Sequence, residues 1–235
     1  DVYKRQEWSK IHYVALPSYA SYRPAQRSHQ TNGREMNFND VEIEKSEDLY
    51  RGFFHMKRYS LRHKKFDGTW SSTITREVFE RGPVAAVLPY DPILDRVVLI
   101  EQFRPGPMAA GADSPWMIEV VAGILEPGET PEALAMRETV EETGGELSEI
   151  LPICAFYMAP GSSSEYCHLL CGRIDSTNIG GIHGHAGEGE DIRVFSEPSE
   201  TAFKRLSNGQ IDSAFSIIAL QWLQLNREDI RSRWT

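Results

Sequence analysis

Three glutamates, Glu138, Glu141 and Glu142, crowd one short stretch of this chain. On a helix, at about 100° per residue, they fall on one side. Carboxylates spaced i, i+3 and i+4 repel one another, so a helix gains nothing from the arrangement by itself. A hard divalent cation reverses the sign, because carboxylate oxygens are the ligands Mg²⁺ prefers. A solvated acidic face is the alternative reading of the same residues. No stronger nucleophile stands elsewhere, since the Ser and Cys residues lack an adjacent base motif. Cys154, Cys167 and Cys171 lie in apolar, strand-like sequence and read as buried thiols of a reducing compartment. Their C-x3-C pair lacks the second ligand pair of a zinc site.

The helix that must carry the acids has clear ends. Thr130 is a good N-cap, Pro131 suits the first helical position, and Gly144-Gly145 stops the helix. Ala133, Met136 and Val140 lie roughly opposite the acids and are expected to face a core. Leu134 lies toward the acidic side and breaks that pattern. An apolar strand, Trp116–Val121, feeds the helix through a loop holding Gly123, Pro127 and Gly128.

Read as a whole, AGILEPGETPEALAMRETVEETGG (Ala122–Gly145) resembles the Nudix box. Gly123, five residues, Glu129, seven residues, Arg137-Glu138, two residues, Glu141-Glu142, one residue and Gly144 fill its charged and glycine positions. Thr139 and Gly145 stand where an aliphatic residue is usual, which reads as a local change of packing.

The remaining chain bounds what this stretch can serve. With 25 basic and 34 acidic residues in 235, and a net charge of -9, a general nucleic-acid or membrane-surface binder is excluded. No apolar run approaches the roughly 18 residues of a membrane span, and no secretory leader is evident, so the expected location is cytoplasmic. Residues 1–36 read as a polar, disordered arm with no assigned function. Residues 37–82 read as a small antiparallel sheet, with strands Val41–Glu44, Tyr50–Arg62 and Thr69–Phe79 and a turn at Asp67-Gly68. Such a sheet has too little core to stand alone. Residues 83–235 read as the catalytic domain. Its strands are Val84–Pro89, Arg96–Phe103, Trp116–Val121, Ile150–Met158, Tyr166–Ile174 and Ile192–Phe195. Met108–Ser114, Ala159–Glu165 and the glycine-rich Asp175–Glu188 read as loops. Glu197–Leu206 reads as a short helix. A longer one, capped by Asp212 or Ser213, carries Phe215, Ile218, Leu220, Trp222 and Leu225 on an apolar face. Strands interleaved with three helices predict the α/β (α+β) class, a mixed sheet between helical layers.

From about Val41 to Trp234 the chain looks like the bacterial ADP-ribose pyrophosphatases of the Nudix superfamily, most clearly in GIHGHAGEGEDIRV and IDSAFSIIALQWLQL. Pro160, fifteen residues after Gly145, resembles the ADP-ribose branch. The resemblance implies a Nudix αβα sandwich and a homodimer that exchanges the N-terminal sheet, so that both subunits build each site. It implies Mg²⁺, with Mn²⁺ as a substitute, held by the Ala122 carbonyl, Glu138 and Glu142, with Glu141 ligating or supporting and Glu190 completing the cluster. Arg137 would pair with Glu129, and Glu188 would be the general base. A solvent-facing Glu188, with Glu190 as base, is the alternative. Phe53 and Phe54 would stack near the adenine, sheet packing being their other reading. Arg76, Glu77 and Arg81 would contact ADP-ribose, Arg104 a phosphate, and Ile124 would line the pocket. Ala159, Pro160, Gly161 and Glu165 would shape the terminal ribose site, with Ala159 where the family often has serine. The implied reaction is hydrolysis of ADP-ribose to AMP and ribose 5-phosphate. Hydrolysis of GDP-mannose or ADP-glucose, or a non-catalytic ADP-ribose sensor, are the rivals.

Overall fold

A computed structural model of the chain describes residues 36–185, 187 and 189–235. The arm expected over residues 1–36 lies outside them except for Met36, and so does Glu188. All counts below are of the described residues. The described residues divide into two compact units, one running to Arg81 and including Ala159–Ser164, the other Gly82–Met158 with the described residues of Glu165–Thr235.

The first unit is an antiparallel sheet of β1 (Val41–Arg51), β2 (His55–His63) and β3 (Ile74–Glu80), in that order. The single strand expected over Tyr50–Arg62 is broken at Gly52–Phe54, where the chain reverses and Arg51 comes to face His55. The Tyr50 ring folds back over the reversal: a Cβ at Gly52 would stand 2.3 Å from its hydroxyl. The second reversal follows Asp67-Gly68: Gly68 takes a φ of 85°, and Thr69 N–H donates to Asp67 Oδ1. Cross-strand ion pairs, Arg62 with Glu42 and Arg58 with Glu47 and Glu77, cover the sheet. Asp40 is its one buried residue among those described, while Ile43, Tyr50, Phe53 and Phe54 are exposed. The sheet therefore has no apolar core of its own. Segment Ala159–Ser164 joins the unit at Phe79, whose N–H donates to Ser162 O at 2.8 Å and whose carbonyl accepts from Ser164 N–H at 3.0 Å.

The second unit is built on one mixed sheet. Its strands are β4 (Pro83–Asp91), β5 (Arg96–Phe103), β6 (Trp116–Glu119), β7 (Val121–Ile124), β8 (Glu149–Tyr157), β9 (Tyr166–Arg173), β10 (Gly181–His183) and β11 (Ile192–Pro198). The order is β10-β11-β5-β4-β9-β8, with β6 beside β5 and β7 beside β4. Only the β4–β9 pair is parallel among the described strands. Helices α1 (Pro105–Ala110), α2 (Pro131–Thr143), α3 (Ser199–Ser207) and α4 (Ala214–Trp234) complete the unit. Strand alternation sends Val97 and Leu99 of β5 into one core with Ala219, Leu220 and Leu223 of α4. It sends Val98 and Ile100 into another, with Ala135 of α2. Helices thus cover both faces, the αβα arrangement expected.

Several local expectations need correction. The strand expected over Thr69–Phe79 starts only at Ile74, and the segment Asp175–Glu188, read as loop, holds the short strand β10. The strand over Trp116–Val121 breaks at Val120, whose N–H leaves the ladder and donates to Ser216 Oγ of α4 at 3.0 Å. Met108–Ser114 is not all loop, because Pro105 starts helix α1 and Gly111, at φ 72°, ends it. Leu225 is 85 % exposed, since the buried stripe of α4 runs through Ala219, Leu220, Leu223, Ile230 and Trp234.

Candidate active site

Helix α2 starts as its sequence dictates. Thr130 caps it, accepting from Ala133 N–H, and Pro131 follows. Its orientation is the reverse of the expectation. Met136 and Val140 are exposed, and Leu134, Ala135, Thr139, Glu142 and Thr143 are buried. The side that carries Glu138 and Glu142 therefore faces the sheet. Burying so polar a face is possible because the threonines satisfy themselves within the helix. Thr139 Oγ1 donates to Ala135 O at 2.7 Å, and Thr143 Oγ1 to Thr139 O. Gly145 leaves room that other residues fill: a Cβ there would lie 2.7 Å from both Ile174 Cδ1 and Ile179 Cδ1.

The acids of this face occupy three different environments. Glu142 is 6 % exposed, and its Oε2 has no hydrogen-bond partner among the described residues. Burial first, then the carboxylates of Glu138 and Glu190, push its carboxyl well above the usual range, against Arg104 and the Ala122 N–H. Glu138 is raised by burial, partly offset by Arg137. It lies against Gly123, where a Cβ would stand 2.1 Å from Glu138 Oε1. Glu141 is exposed and bound to Arg137.

Arg137 organises the rim. Its Nε and Nη2 donate to the two oxygens of Glu129 at 3.0 and 3.3 Å, and Nη1 donates to Glu138 at 2.9 Å and Glu141 at 3.0 Å. Those bonds lower the Glu129 carboxyl. Glu129 in turn accepts from Glu126 N–H, which pins the loop before the helix.

Glu190 sits next to β11, and its Oε2 accepts from His185 N–H at 3.0 Å. A Cβ at Gly184 would lie 2.9 Å from the Glu190 Cβ. Arg104, just past β5, donates from Nε to Glu119 Oε2 at 2.6 Å, and Glu119 is 9 % exposed. Ile124 is exposed at the end of β7. Strand alternation is the signal that could have found Glu119, because it stands opposite the inward-facing Ile100.

The donor set suits a hard divalent cation in kind: oxygens only, one of them buried and unpaired. Among the described residues no group of three or more His, Cys, Asp or Glu converges on one metal position. Glu138 is held by Arg137 and Glu190 by His185 N–H, which keeps their oxygens engaged.

The expected substrate residues divide between the units. Phe53, Phe54, Arg76, Glu77, Arg81, Ala159, Pro160 and Gly161 belong to the first, and Arg104, Ile124 and Glu165 to the second. Within the first unit, Phe54 packs edge-on against Phe53 at 4.9 Å and Phe79 at 5.0 Å. The Arg81 guanidinium lies over the Phe54 ring at 5.4 Å, and Arg81 N–H donates to Ser164 Oγ. This unit therefore draws Phe54 and Arg81 to the loop that carries Pro160. Glu77 is paired with Arg58, and Arg76 with the carbonyl of Thr75. Of the three cysteines, Cys167 and Cys171 are buried thiols, as expected, but Cys154 is exposed because β8 is an edge strand.

Comparison with known proteins agrees with this layout. Residues 80–213 match the NUDIX domain family. The chain is 46% identical over 198 residues to the ADP-ribose pyrophosphatase of Escherichia coli K12, covering 83% of this chain and 93% of that one. It is 41% identical over 197 residues to the ADP-ribose pyrophosphatase of Haemophilus influenzae, covering 83% and 91%. The GDP-mannose pyrophosphatase of Shigella flexneri is 35% identical over 151 residues, covering 64% of this chain and 78% of that one. The crystal structure of an ADP compounds hydrolase shares the fold, with a TM-score of 0.63 over 85% of this chain and 99% of that one, at 18% identity.

Proposed function

The chain belongs to the Nudix family, and from that premise we propose that it hydrolyses the diphosphate of ADP-ribose to AMP and ribose 5-phosphate. The observation that carries this reading is the Glu142 carboxylate, buried on the sheet side of α2 with one oxygen unpaired. Left alone, such a group destabilises the fold. A divalent cation explains its retention, and Mg²⁺, with Mn²⁺ as substitute, is the cation that an all-oxygen set favours. When bound, it neutralises diphosphate charge and acidifies water for attack.

The chain's own groups supply the rest. Glu138, Glu142 and the Ala122 carbonyl would hold the metal, Glu190 would join them, and Glu141 would support through Arg137. Arg137 and Glu129 fix the rim by their paired bonds. Glu119 aims Arg104 at a phosphate. Glu188 takes the proton from the attacking water. Phe53, Phe54, Arg76, Glu77 and Arg81 bind the ADP portion, Ile124 lines the pocket, and Ala159, Pro160, Gly161 and Glu165 shape the ribose end. The higher identity and fuller coverage shared with the ADP-ribose pyrophosphatases support ADP-ribose over GDP-mannose. Intact box acids favour a catalyst over a sensor.

A homodimer with exchanged N-terminal sheets belongs to the same proposal. The support is a sheet with no apolar core of its own that exposes Ile43, Tyr50, Phe53 and Phe54. A domain organisation of sheet (37–82) and catalytic domain (83–235) goes with it. A cytoplasmic location is supported by three free thiols. No helix among the described residues is long and apolar enough to cross a membrane.

The test is a panel of ADP-ribose, ADP-glucose and GDP-mannose with Mg²⁺, read by chromatography of the nucleotide products. AMP from ADP-ribose at a kcat/KM at least tenfold above the others is expected. A faster release of GMP from GDP-mannose would overturn the assignment.

A further inference from the structure

Gln102 lies near the end of β5 and is 7 % exposed. Strand alternation puts its side chain on the face of Val98 and Ile100, the face that α2 covers. Arg104 follows two residues later. Glu119, opposite Ile100 in the β5–β6 pairing, meets Arg104 from the neighbouring strand. Yet the Gln102 Nε2 is buried with no hydrogen-bond partner among the described residues.

A buried amide donor without an acceptor weakens a fold, and the few that native proteins keep call for an explanation. Packing does not provide one, because methionine would fill the same volume without the penalty. The face already holds one unpaired acceptor, Glu142 Oε2, which suits a cation. An unpaired donor on that face suits the complementary species, an anion that offers only acceptors. Beside it stands Arg104, a cation whose Nε is tied to Glu119 and whose other nitrogens make no bond to that carboxylate. A neutral donor and a guanidinium from one strand end are the pairing that oxygens of a phosphate group accept.

We propose that Gln102 is a further substrate-contacting residue, its Nε2 donating a hydrogen bond to an oxygen of the diphosphate beside Arg104. The inference rests on the assignment of a nucleoside diphosphate compound as substrate, and it adds a residue from outside the Ala122–Gly145 stretch. It also explains why strand β5 tolerates a polar side chain in an apolar layer: stability is given up for function, as is common at such sites.

The experiment compares the full chain with Gln102→Met and Gln102→Glu, using kcat/KM and thermal denaturation. The denaturation is run free and with a non-hydrolysable methylene analogue of ADP-ribose. Gln102→Met should lower kcat/KM about ten- to a hundredfold, the size of a lost hydrogen bond to a charged group. It should leave the free protein's Tm equal or higher, and shrink the rise in Tm that the analogue produces. Gln102→Glu, which sets a carboxylate against the anion, should lose more activity than Gln102→Met. A kcat/KM for Gln102→Met within threefold of the unaltered chain overturns the proposal. So does a fall of several degrees in its free Tm, which would show the amide to be satisfied within the protein itself. If the unaltered chain prefers another nucleoside diphosphate sugar, the same comparison is made on that substrate, so failure of the substrate assignment and failure of the Gln102 role are read separately.

Discussion

Gly123→Ala separates the proposed metal-binding role of Glu138 from the stability of the fold. The glycine is not among those with positive φ, so alanine meets no backbone strain there. The added Cβ would lie 2.1 Å from Glu138 Oε1, 2.5 Å from Cδ and 2.8 Å from Cγ. Ordinary contact begins at 3.4 Å, so the carboxylate must retreat by about 1.3 Å. The atoms that move are the far end of a flexible side chain, and the bond they give up is one of four that Arg137 makes to carboxylates. A partly exposed ion pair of that kind contributes about 0.2–1 kcal/mol. Replacing glycine where the backbone permits regains a similar ~0.4–1 kcal/mol through the unfolded chain. The two nearly cancel, so Tm should stay within about 2–4 °C of the unaltered chain, the shift produced by about 1 kcal/mol in a domain of this size. Activity should not survive as well, because a misplacement of about 1 Å at a reacting centre costs on the order of 100-fold. Steady-state kinetics on ADP-ribose with excess Mg²⁺, beside thermal denaturation, reads both. A variant within threefold of normal kcat/KM would refute the placement of Glu138 in the metal site. A Tm lowered by more than about 8 °C would refute the claim that only a side chain moves.

Two further substitutions probe the residues around that centre. Glu188→Gln should cut kcat by at least about 100-fold, within the range of general-base catalysis, while Mg²⁺ still raises Tm; a change under threefold in kcat would remove Glu188 from the base role. Glu119→Gln keeps shape but loses the charge that holds Arg104, and should raise KM about five- to thirtyfold with a smaller effect on kcat, as expected for losing about 1–2 kcal/mol of charge-assisted bonding. An unchanged KM would show that Arg104 needs no support from its neighbour.

Much of the catalytic unit was legible because its signals are local. The capping Thr130-Pro131, the Gly144 stop and the box spacing depend only on neighbours in sequence, and helix α2 spans Pro131–Thr143 accordingly. Its orientation was not legible. A periodicity argument assigns acids to solvent and Met136 and Val140 to the core, and it has no term for a bound cation that makes a buried carboxylate favourable. In the structure the face with Glu142 is turned inward while Met136 and Val140 stay outside, a burial that the proposed cation would favour. Gln102 and Glu119 escaped notice for a different reason: each is a single polar position in an apolar strand, and only the register with Ile100 and the neighbouring Arg104 gives it meaning. The tie between Phe79 and Ser162–Ser164 is a contact between residues remote in sequence, with no local signal at either end.

The central claim is that the carboxylates on the sheet side of α2 hold a divalent cation that the hydrolysis requires. Its most direct measurement is a Mg²⁺ titration of chelator-treated protein in the presence of ADP-ribose, following AMP and ribose 5-phosphate, with Glu142→Gln run in parallel. The account predicts no product without the metal, both products in equal amounts as Mg²⁺ is added, and at least a hundredfold loss in Glu142→Gln, the scale of losing a metal ligand that stabilises transition-state charge. Product formed without metal, or undiminished in Glu142→Gln, would contradict it.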